Sequence, residues 1–305
     1  AHTVPFYASV DLRNAGFKLA PVDTNLFPGG FNNLNPSFLP LCVQAMQAAV
    51  ERVCADARGV LLVPENHTRN LYYLANVAAL ANILKQAGLR VRVGSINPDV
   101  REPTRIELPD DQEVLLEPVV RKGRRVGLPD FDPCLVLVNN DLSAGSPPIL
   151  EDLEQPVAPP LAAGWFNRLK SHHFEAYHAV ADEFGQLVGI DPWLVDPYFG
   201  VCGEINFQER AGEECLASNV DWLLTRIRAK YAEYGIDEKP FVIVKADAGT
   251  YGMGIMTVRD ATEVQGLNRK QRNKMAVVKE GLEVTSVIIQ EGVPTREEID
   301  GAIAE

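Results

Sequence analysis

The sequence lacks the long apolar run that a membrane span requires. Its longest apolar strings, such as residues 134–138, have the length of a β-strand, whereas a helix that crosses a bilayer needs about 20 apolar residues. The N-terminus also lacks a basic stretch followed by an apolar one, so we expect no signal peptide. Both absences argue against a membrane-spanning protein.

The chain is also short of positive charge. Its 305 residues include 29 Lys and Arg against 41 Asp and Glu, which gives a net charge of −12. Proteins that bind duplex nucleic acid normally carry a basic face, and anionic membranes attract basic segments. We therefore expect no nucleic-acid or membrane partner, although a few placed lysines and backbone amides can still bind a small anion.

Cysteine is scarce, and its spacing shows no pairing. The five cysteines form no Cys-x-x-Cys motif and are odd in number. Disulfide frameworks and zinc sites usually have even numbers or close pairs. The sequence therefore predicts reduced thiols in a cytoplasmic protein.

The length and the order of segments indicate two domains. A chain of 305 residues corresponds to roughly two domains of about 150 residues. Near its start, predicted helices at 37–53 and 70–87 alternate with strands at 60–63 and 90–94, an order that predicts a βαβ unit and a parallel sheet. Five prolines between residues 146 and 160 indicate a linker. We expect domains over residues 1–160 and 161–305.

The sharpest local motif is a strand that ends in a lysine, followed by a glycine-rich loop and a second strand. Lys245 ends the strand, and Gly249, Gly252 and Gly254 follow it. Glycines permit positive φ and close backbone approach, loop amides can hold phosphate oxygens, and a lysine adds a point charge. The spacing matches neither Walker A nor Gly-x-Gly-x-x-Gly. The alternative is a plain β-hairpin with an exposed lysine.

Two other segments are weaker candidates for the same nucleotide site. The last apolar strand ends at Gln290 and Glu291, two residues before Val293, and free backbone groups at such an end can hydrogen-bond an adenine edge. The alternative is an ordinary strand end. Lys170 lies in the first turn of a predicted helix, where it can bind an anion or remain solvated.

The first 40 residues combine amides, charges and aromatic side chains, a composition typical of a lined pocket. Arg13 can bind a carboxylate through two parallel hydrogen bonds, and Lys18, Asn25, Asn32 and Asn33 can bind the polar groups of an amino acid. The alternative is a network of Asx turns, which Asn and Asp form readily. The five histidines show no Ser–His–Asp arrangement and no metal-ligand spacing.

Taken together, the order of these motifs resembles the ATP-grasp superfamily, in which two lysines, a flexible glycine loop and a hinge strand bind ATP. Residues 9–34, 139–145 and 267–274 are similar, more closely, to the proteobacterial glutamate–cysteine ligase family of ATP-grasp type. The similarity extends through essentially the whole chain. It implies an α/β and α+β fold, with an N-terminal parallel-sheet domain of the pre-ATP-grasp kind and an ATP-grasp-like domain that is incomplete at its C-terminus.

The resemblance also implies a reaction and a division of roles. With Mg²⁺ bound, ATP phosphorylates L-glutamate to an acyl phosphate, and the amine of L-cysteine attacks it to give γ-glutamylcysteine, the first step of glutathione biosynthesis. Lys245 is the implied catalytic residue. Lys170 and Lys245 hold the phosphates beneath the loop 249–254, and residues 290–293 seat adenine. The substrate residues named above are inferred from their polarity alone.

Several points stay open at the level of the sequence. The chain ends shortly after Glu291, so the magnesium ligands are unknown, and the oligomeric state is not indicated. Another ATP-grasp carboxylate–amine ligase with a different amino-acid pair is one alternative function. A non-catalytic ATP-binding module is the other.

Overall fold

The computed structural model describes residues 4–66, 70–109, 111–249, 254–277, 281, 283–299 and 301–303. The chain divides into two compact units, Ala1–Ser9 with Asn25–Gly164 and Val10–Thr24 with Trp165–Glu305. The sequence predicts a single boundary between residues 160 and 161, whereas in the structure residues 10–24 group with the second unit. The difference arises because residues 10–24 form a hairpin that packs within the second unit, a long-range contact that local sequence patterns do not encode.

The chain forms both helices and strands, as the sequence patterns predict. The helices are α1 (Leu39–Val53), α2 (Leu71–Gln86), α3 (Lys170–Val188), α4 (Glu213–Tyr234), α5 (Thr262–Gln265) and α6 (Arg269–Ala276). The strands are β1 (Ser9–Asn14), β2 (Leu19–Asn25), β3 (Gly59–Pro64), β4 (Arg90–Ser95), β5 (Thr104–Glu107), β6 (Glu113–Pro118), β7 (Val120–Lys122), β8 (Arg125–Gly127), β9 (Leu135–Asn139), β10 (Val157–Ala158), β11 (Phe199–Cys202), β12 (Val242–Ala246), β13 (Ile255–Val258), β14 (Val287–Glu291), β15 (Glu298–Ile299) and β16 (Ala302–Ile303). None of the helices described is long and apolar enough to cross a membrane.

The first unit contains a six-stranded sheet with the strand order β10-β9-β3-β4-β6-β5. Neighbouring strands run parallel except β5 and β6, so the predicted parallel sheet is confirmed. Residues 60–63 of β3 and 135–138 of β9 are fully buried. Continuous apolar strands of this kind occur where both faces of a parallel sheet are covered. Here Leu62 and Leu137 pack with α2 on one face, and Leu61 and Val136 pack around Phe131 on the other.

The second unit contains an antiparallel sheet with the order β11-β14-β12-β13. The mixed α/β and α+β fold class is thereby confirmed. One face of this sheet packs on α4 through residues spaced three or four apart, namely Val220, Leu223, Leu224, Ile227 and Tyr231. Their sheet partners include Val244 and Ile289. Because side chains alternate along a strand, Lys245 and Gln290 point to the opposite face.

The β1–β2 hairpin belongs mostly to the second unit and has a tightly closed turn. The amide of Ala15 donates to the carbonyl of Lys18 at 2.8 Å. Gly16 has φ +82°, and a Cβ at that position would lie 2.6 Å from Arg296 Nη1. The left-handed conformation therefore disfavours a side chain there, and a larger residue would also displace the Arg296 side chain. Ala15 and Ala20 pack with Val293 in a small apolar cluster, which fixes the hairpin against the end of β14.

Candidate functional site

Lys245 lies near the end of β12 and is buried within the second unit. It is only 5% exposed, and its Nζ donates to the backbone carbonyl of Val22 at 2.5 Å. The ring centroid of Phe174 lies 5.8 Å from the same atom. Burial lowers the pKa of Lys245 to about 8, because the charged form is poorly solvated there.

Lys170 is the first residue of α3, and its ammonium group reaches the same strand, β2. Its Nζ lies 3.2 and 3.3 Å from the two carboxylate oxygens of Asp23 and donates to the carbonyl of Gly249 at 3.0 Å. The ring centroid of Trp165 is 4.1 Å away. Val22 and Asp23 are consecutive, so one dipeptide of the hairpin accepts hydrogen bonds from both lysines.

Asp247 explains why the start of α3 lies at the end of β12. Its Oδ1 accepts the amide of Ser171 at 2.7 Å, and its Oδ2 accepts the Ser171 hydroxyl at 2.7 Å. Its backbone carbonyl accepts the amide of Lys170 at 2.8 Å. A carboxylate at a helix N-terminus satisfies free amides and interacts favourably with the helix dipole. Asp247 thereby links the element that carries Lys245 to the element that carries Lys170.

The surrounding charges make the site favourable for an anion. Arg168 donates to the carbonyl and the hydroxyl of Thr24 at 3.2 and 2.5 Å, which adds a third cation beside the two lysines. Burial raises the pKa of Asp11, with a smaller contribution from the nearby Asp23. Three cations thus lie near three acidic side chains. Asp247 already occupies the N-terminus of α3, Asp23 is paired with Lys170, and burial disfavours the ionised form of Asp11.

The predicted glycine loop connects β12 and β13, which pair as an antiparallel hairpin with Lys245 opposite Ile255. Gly249 and Gly254 have φ of +94° and +64°, a left-handed conformation that favours glycine. Gly252 lies outside the described residues. The hairpin of the alternative interpretation is therefore present, but its lysine is buried and not exposed.

Gln290 presents an unused polar group on the face that carries Lys245. It lies opposite Ile243 in the ladder between β12 and β14 and is 2% exposed. Its side-chain nitrogen has no hydrogen-bond partner among the described residues. A buried amide without a partner costs about 1–3 kcal/mol, so a ligand that accepts this hydrogen bond would recover that free energy.

The Glu291 side chain points to the opposite face and is fully engaged there, while its role at the adenine stays a prediction. Its carboxylate accepts hydrogen bonds from Lys18 Nζ at 2.8 Å, from the Trp193 indole at 3.1 Å and from the Tyr198 amide at 3.0 Å. Its own amide donates to the carbonyl of Tyr198 at 2.7 Å. The Glu291 side chain therefore stabilises the core and does not face Lys245. Val293, in the apolar cluster at the hairpin, is likewise a packing residue.

Lys18, a predicted substrate ligand, is buried beside Glu291. It is 3% exposed, donates to Glu291 and to the carbonyl of Asp196 at 2.9 Å, and lies 4.4 Å from the ring centroid of Trp193. Burial lowers its pKa to about 8 and raises the pKa of Glu291, while the attraction between the two opposes both shifts. Lys18 thus forms an internal ion pair in this structure, and a contact with substrate stays a prediction.

The other predicted substrate residues fall in different places. Arg13 lies on β1 in the second unit, where its charge partly opposes the burial that raises the pKa of Asp11. Asn25 belongs to the first unit, where its side chain accepts the amide of Phe27 at 2.9 Å, as in the Asx turns of the alternative interpretation. Asn32 and Asn33 bond to each other at 3.3 Å at the surface of that unit. Asn32 also lines a groove of about 640 Å³ in the first unit.

Metal ligands are not gathered anywhere in the described ranges. No group of three or more His, Cys, Asp or Glu residues in them is arranged to hold a metal ion. The acidic residues near the lysines are Asp11, Asp23 and Asp247; Asp23 is paired with Lys170, and Asp247 accepts two hydrogen bonds from Ser171.

Comparison with known proteins decides the family. The family described as GshA, glutamate–cysteine ligase, matches residues 1–305. The chain belongs to the glutamate–cysteine ligase family. The resemblance found in the sequence is therefore confirmed, and this ligase chain is an enzyme of that family.

A solved structure supports the same assignment. A protein from Methylobacillus flagellatus KT, assigned as a gamma-glutamylcysteine synthetase, is 66% identical, with a TM-score of 0.88 over 95% of this chain and 69% of that chain. D-alanyl-alanine synthetase A from Vibrio cholerae is 10% identical, with a TM-score of 0.35 over 81% of this chain and 65% of that one. An ATP-grasp RimK domain protein from Sphaerobacter thermophilus is 16% identical, with a TM-score of 0.33 over 79% and 65%. At these TM-scores, neither of the last two similarities gives information about this chain. No curated protein matched.

Three contacts that hold the two lysines in place are not evident from the sequence. Val22, Asp23 and Asp247 organise the two lysines, yet each acts on residues far away in the chain. Asp23 was visible as one polar residue among many, and Asp247 as part of the glycine loop. Neither position carries a local pattern that reveals its partner.

Proposed function

We propose that this member of the glutamate–cysteine ligase family joins L-glutamate and L-cysteine to γ-glutamylcysteine at the expense of ATP, through an acyl phosphate. A carboxylate is a poor electrophile, and ATP supplies the phosphoryl group that activates it. Family membership over the whole chain supports the reaction. The convergence of two buried lysines on one dipeptide is the observation that supports the position of the site.

Lys170 and Lys245 bind the phosphates in this proposal, with Lys245 as the catalytic residue. In the structure their ammonium groups are occupied by the Asp23 carboxylate and the Val22 carbonyl. Phosphate oxygens would replace both acceptors, and each charge-assisted hydrogen bond contributes roughly 1.5–3 kcal/mol. Because the lysines come from α3 and β12, which Asp247 links, they remain fixed while the charge on the phosphoryl group changes. Such preorganisation stabilises a transition state without reorganisation during the reaction.

Gln290 binds the nucleobase in this proposal, and the loop 249–254 covers the phosphates. The Gln290 amide lies on the face that carries Lys245 and has a free donor, which suits a ring nitrogen of adenine. The left-handed Gly249 and Gly254 allow the loop to change conformation as the nucleotide enters, a requirement for a site that must open and close.

The amino acids are proposed to bind beside the phosphates, at β1. Asp11 and Arg13 are two residues apart on that strand, so their side chains lie on the same side. An amino acid carries an ammonium and a carboxylate, which match Asp11 and Arg13 in charge. Asn25, Asn32 and Asn33 stay predictions for the first unit. Magnesium accompanies ATP in this proposal. Its ligands are not assigned, because no cluster of three or more His, Cys, Asp or Glu residues occurs among the described residues. Cytoplasmic location stays a prediction from the sequence.

The test is product formation by the purified protein. With ATP, glutamate and cysteine present together, we expect ADP and γ-glutamylcysteine, and with hydroxylamine in place of cysteine we expect glutamyl hydroxamate. Lys245→Ala should abolish most of this activity, whereas Lys239→Ala, an exposed lysine in the same unit, should retain it. ATP binding without glutamate-dependent ADP release would indicate a non-catalytic module. Hydroxamate formation with a different amine preference would indicate another carboxylate–amine ligase.

A further inference from the structure

Two cysteines that play no part in the proposed reaction lie side by side in the second unit. The sulfur atoms of Cys202 and Cys215 are 3.1 Å apart, and all five cysteines of the chain are free thiols. A disulfide bond is about 2.05 Å long, so the sulfurs need to approach by only about 1 Å to form one.

The fold holds both cysteines in place from opposite sides. Cys202 is the last residue of β11 and lies opposite Val287 in the sheet, whereas Cys215 is the third residue of α4. The connecting segment turns back through a bridge between Asn206 and Ala211. The short distance therefore results from two regular elements and from a closed loop between them.

The two thiols differ in access, as an attacking and a resolving cysteine do. Cys215 is the one exposed cysteine of the five, while Cys202 is 1% exposed and burial raises the pKa of its thiol. An oxidant therefore meets Cys215 first. The side-chain amide of Asn219, one turn further along α4, donates to Cys202 Sγ at 3.2 Å and so favours negative charge on that sulfur when it attacks.

We propose that Cys202 and Cys215 form a reversible thiol–disulfide site that accepts low-molecular-mass disulfides. The Cys215 thiolate attacks one sulfur of RS–SR, which gives a mixed disulfide and releases RS⁻. The Cys202 thiol then loses its proton to solvent or to the released thiolate, and its sulfur attacks Cys215 Sγ and releases the second RS⁻. The protein dithiol is oxidised by two electrons, and RS–SR is reduced to two thiols. The product is a covalent link between β11 and the first turn of α4.

Of the remaining cysteines, Cys54 and Cys134 also lie close enough for a side-chain hydrogen bond, but neither of them is exposed as Cys215 is. Cys134 Sγ accepts the amides of Arg58 and Gly59 at 3.2 and 3.3 Å and donates to the carbonyl of Gly59 at 3.1 Å. Its neighbour Cys54 is half-buried, as is Cys42 on α1. Oxidation should therefore begin at Cys215 and end at Cys202, and Cys42 provides a matched control.

The experiment is peptide mapping of the folded protein by mass spectrometry after exposure to 2-hydroxyethyl disulfide, followed by quenching of free thiols. We expect a peptide linked through Cys202 and Cys215, a protein lighter by two hydrogen atoms, and full reversal by dithiothreitol. Cys215→Ser should lose the link, and Cys42→Ser should retain it. Cys202→Ser should instead accumulate one hydroxyethylthio group on Cys215, because the resolving thiol is missing.

Three results would overturn the proposal. The first is a lasting mixed disulfide on Cys215 of the unmodified protein with Cys202 still free. The second is a link between Cys54 and Cys134 under conditions that leave Cys202 and Cys215 reduced. The third is an unchanged pattern in Cys215→Ser. If Cys202→Ser fails to fold, as judged by circular dichroism, the unmodified protein and Cys215→Ser still decide the question, since an exposed residue tolerates serine.

Discussion

Lys170 forms an ion pair with Asp23, 147 residues earlier in the chain, and its Nζ lies 3.2 and 3.3 Å from the two carboxylate oxygens. The carboxylate thus sits where the oxygens of a bound phosphate are proposed to sit. A nucleotide has to replace an acidic group that already neutralises the lysine. The proposed ATP site is therefore one in which a residue of the β1–β2 hairpin competes with the ligand.

Removal of the competing charge should tighten nucleotide binding. In Asp23→Asn the amide no longer neutralises Lys170, so we expect the Kd for ATP to fall by up to about fivefold, or ~1 kcal/mol. This free energy corresponds to the contribution of a partly exposed ion pair, because the Asp23 side chain is 38% exposed. Isothermal titration calorimetry measures the change, with Asp237→Asn, an exposed acid outside the site, as the control. Weaker binding in Asp23→Asn would mean that this carboxylate assists the ligand.

Removal of the buried lysine should have the opposite effect. We expect Lys245→Ala to weaken ATP binding at least tenfold, which corresponds to about 1.4 kcal/mol, because a phosphate would lose its charged donor. The exposed Lys239→Ala should leave the Kd unchanged. Calorimetry on the two variants side by side is sufficient, and equal affinities would remove Lys245 from the site.

The pKa of Lys245 predicts a pH dependence of binding. The ammonium form binds phosphate, and its pKa in the unliganded protein is about 8, so binding above that pH requires uptake of a proton. The Kd should therefore rise between about pH 8 and 10, by up to about tenfold per pH unit. Calorimetry in buffers with different ionisation enthalpies should detect the proton taken up. Lys245→Ala should lose both effects, and an unchanged pH profile in this variant would assign the titration to another group.

The lowered pKa of Lys245 also determines how its contribution to stability changes with pH. The pKa of Lys245 in the folded protein, about 8, is below the ordinary lysine value of about 10.4 in an unfolded chain. Between these values the unfolded state binds more protons, so the contribution of this lysine to stability rises with pH. Lys18, whose pKa is also about 8, contributes the same trend. Unfolding experiments therefore do not separate the titration of Lys245 from that of Lys18, whereas measurements of ATP binding do.

Gln290 should show opposite effects on stability and on binding. Its side-chain nitrogen is buried without a partner among the described residues, so Gln290→Leu removes an unsatisfied donor and should raise the free energy of unfolding by about 1 kcal/mol. The same change removes the proposed contact with adenine and should weaken ATP binding about tenfold. Urea denaturation and calorimetry measure the two quantities. A variant that loses stability and keeps its affinity would contradict the assignment.

The Lys18–Glu291 pair should prove structural. Lys18→Met leaves a buried carboxylate without its counter-ion, and we expect a loss of about 3–5 kcal/mol in unfolding free energy. The double variant Lys18→Met/Glu291→Gln should lose less than the sum of the single changes. Among the folded molecules, the KM values for glutamate and cysteine should not change. A raised KM for an amino acid at unchanged stability would restore Lys18 to the substrate site.

Local patterns predicted the elements of the fold better than they predicted the site. The apolar runs of β3 and β9 predict buried strands, and the apolar spacing along α4 predicts a helix. The structure contains all three elements. Lys245 and its glycine hairpin were found because the strand, the lysine and the loop are adjacent in the chain.

The rest of the site depends on contacts between distant segments. Nothing near Val22 or Asp23 indicates that lysines 147 and 223 residues away bind there. Polarity alone does not separate a buried ion pair, such as that of Lys18, from a ligand contact. Its partner Glu291 lies 273 residues away, at a position where the sequence shows only the end of an apolar strand.

The most direct test of the central claim is a crystal structure of the protein with a non-hydrolysable ATP analogue. We expect density for phosphate oxygens within about 2.7–3.2 Å of Nζ of both Lys170 and Lys245, with the Asp23 carboxylate moved off Lys170. A nucleotide bound elsewhere, with the Lys170–Asp23 ion pair intact, would contradict it.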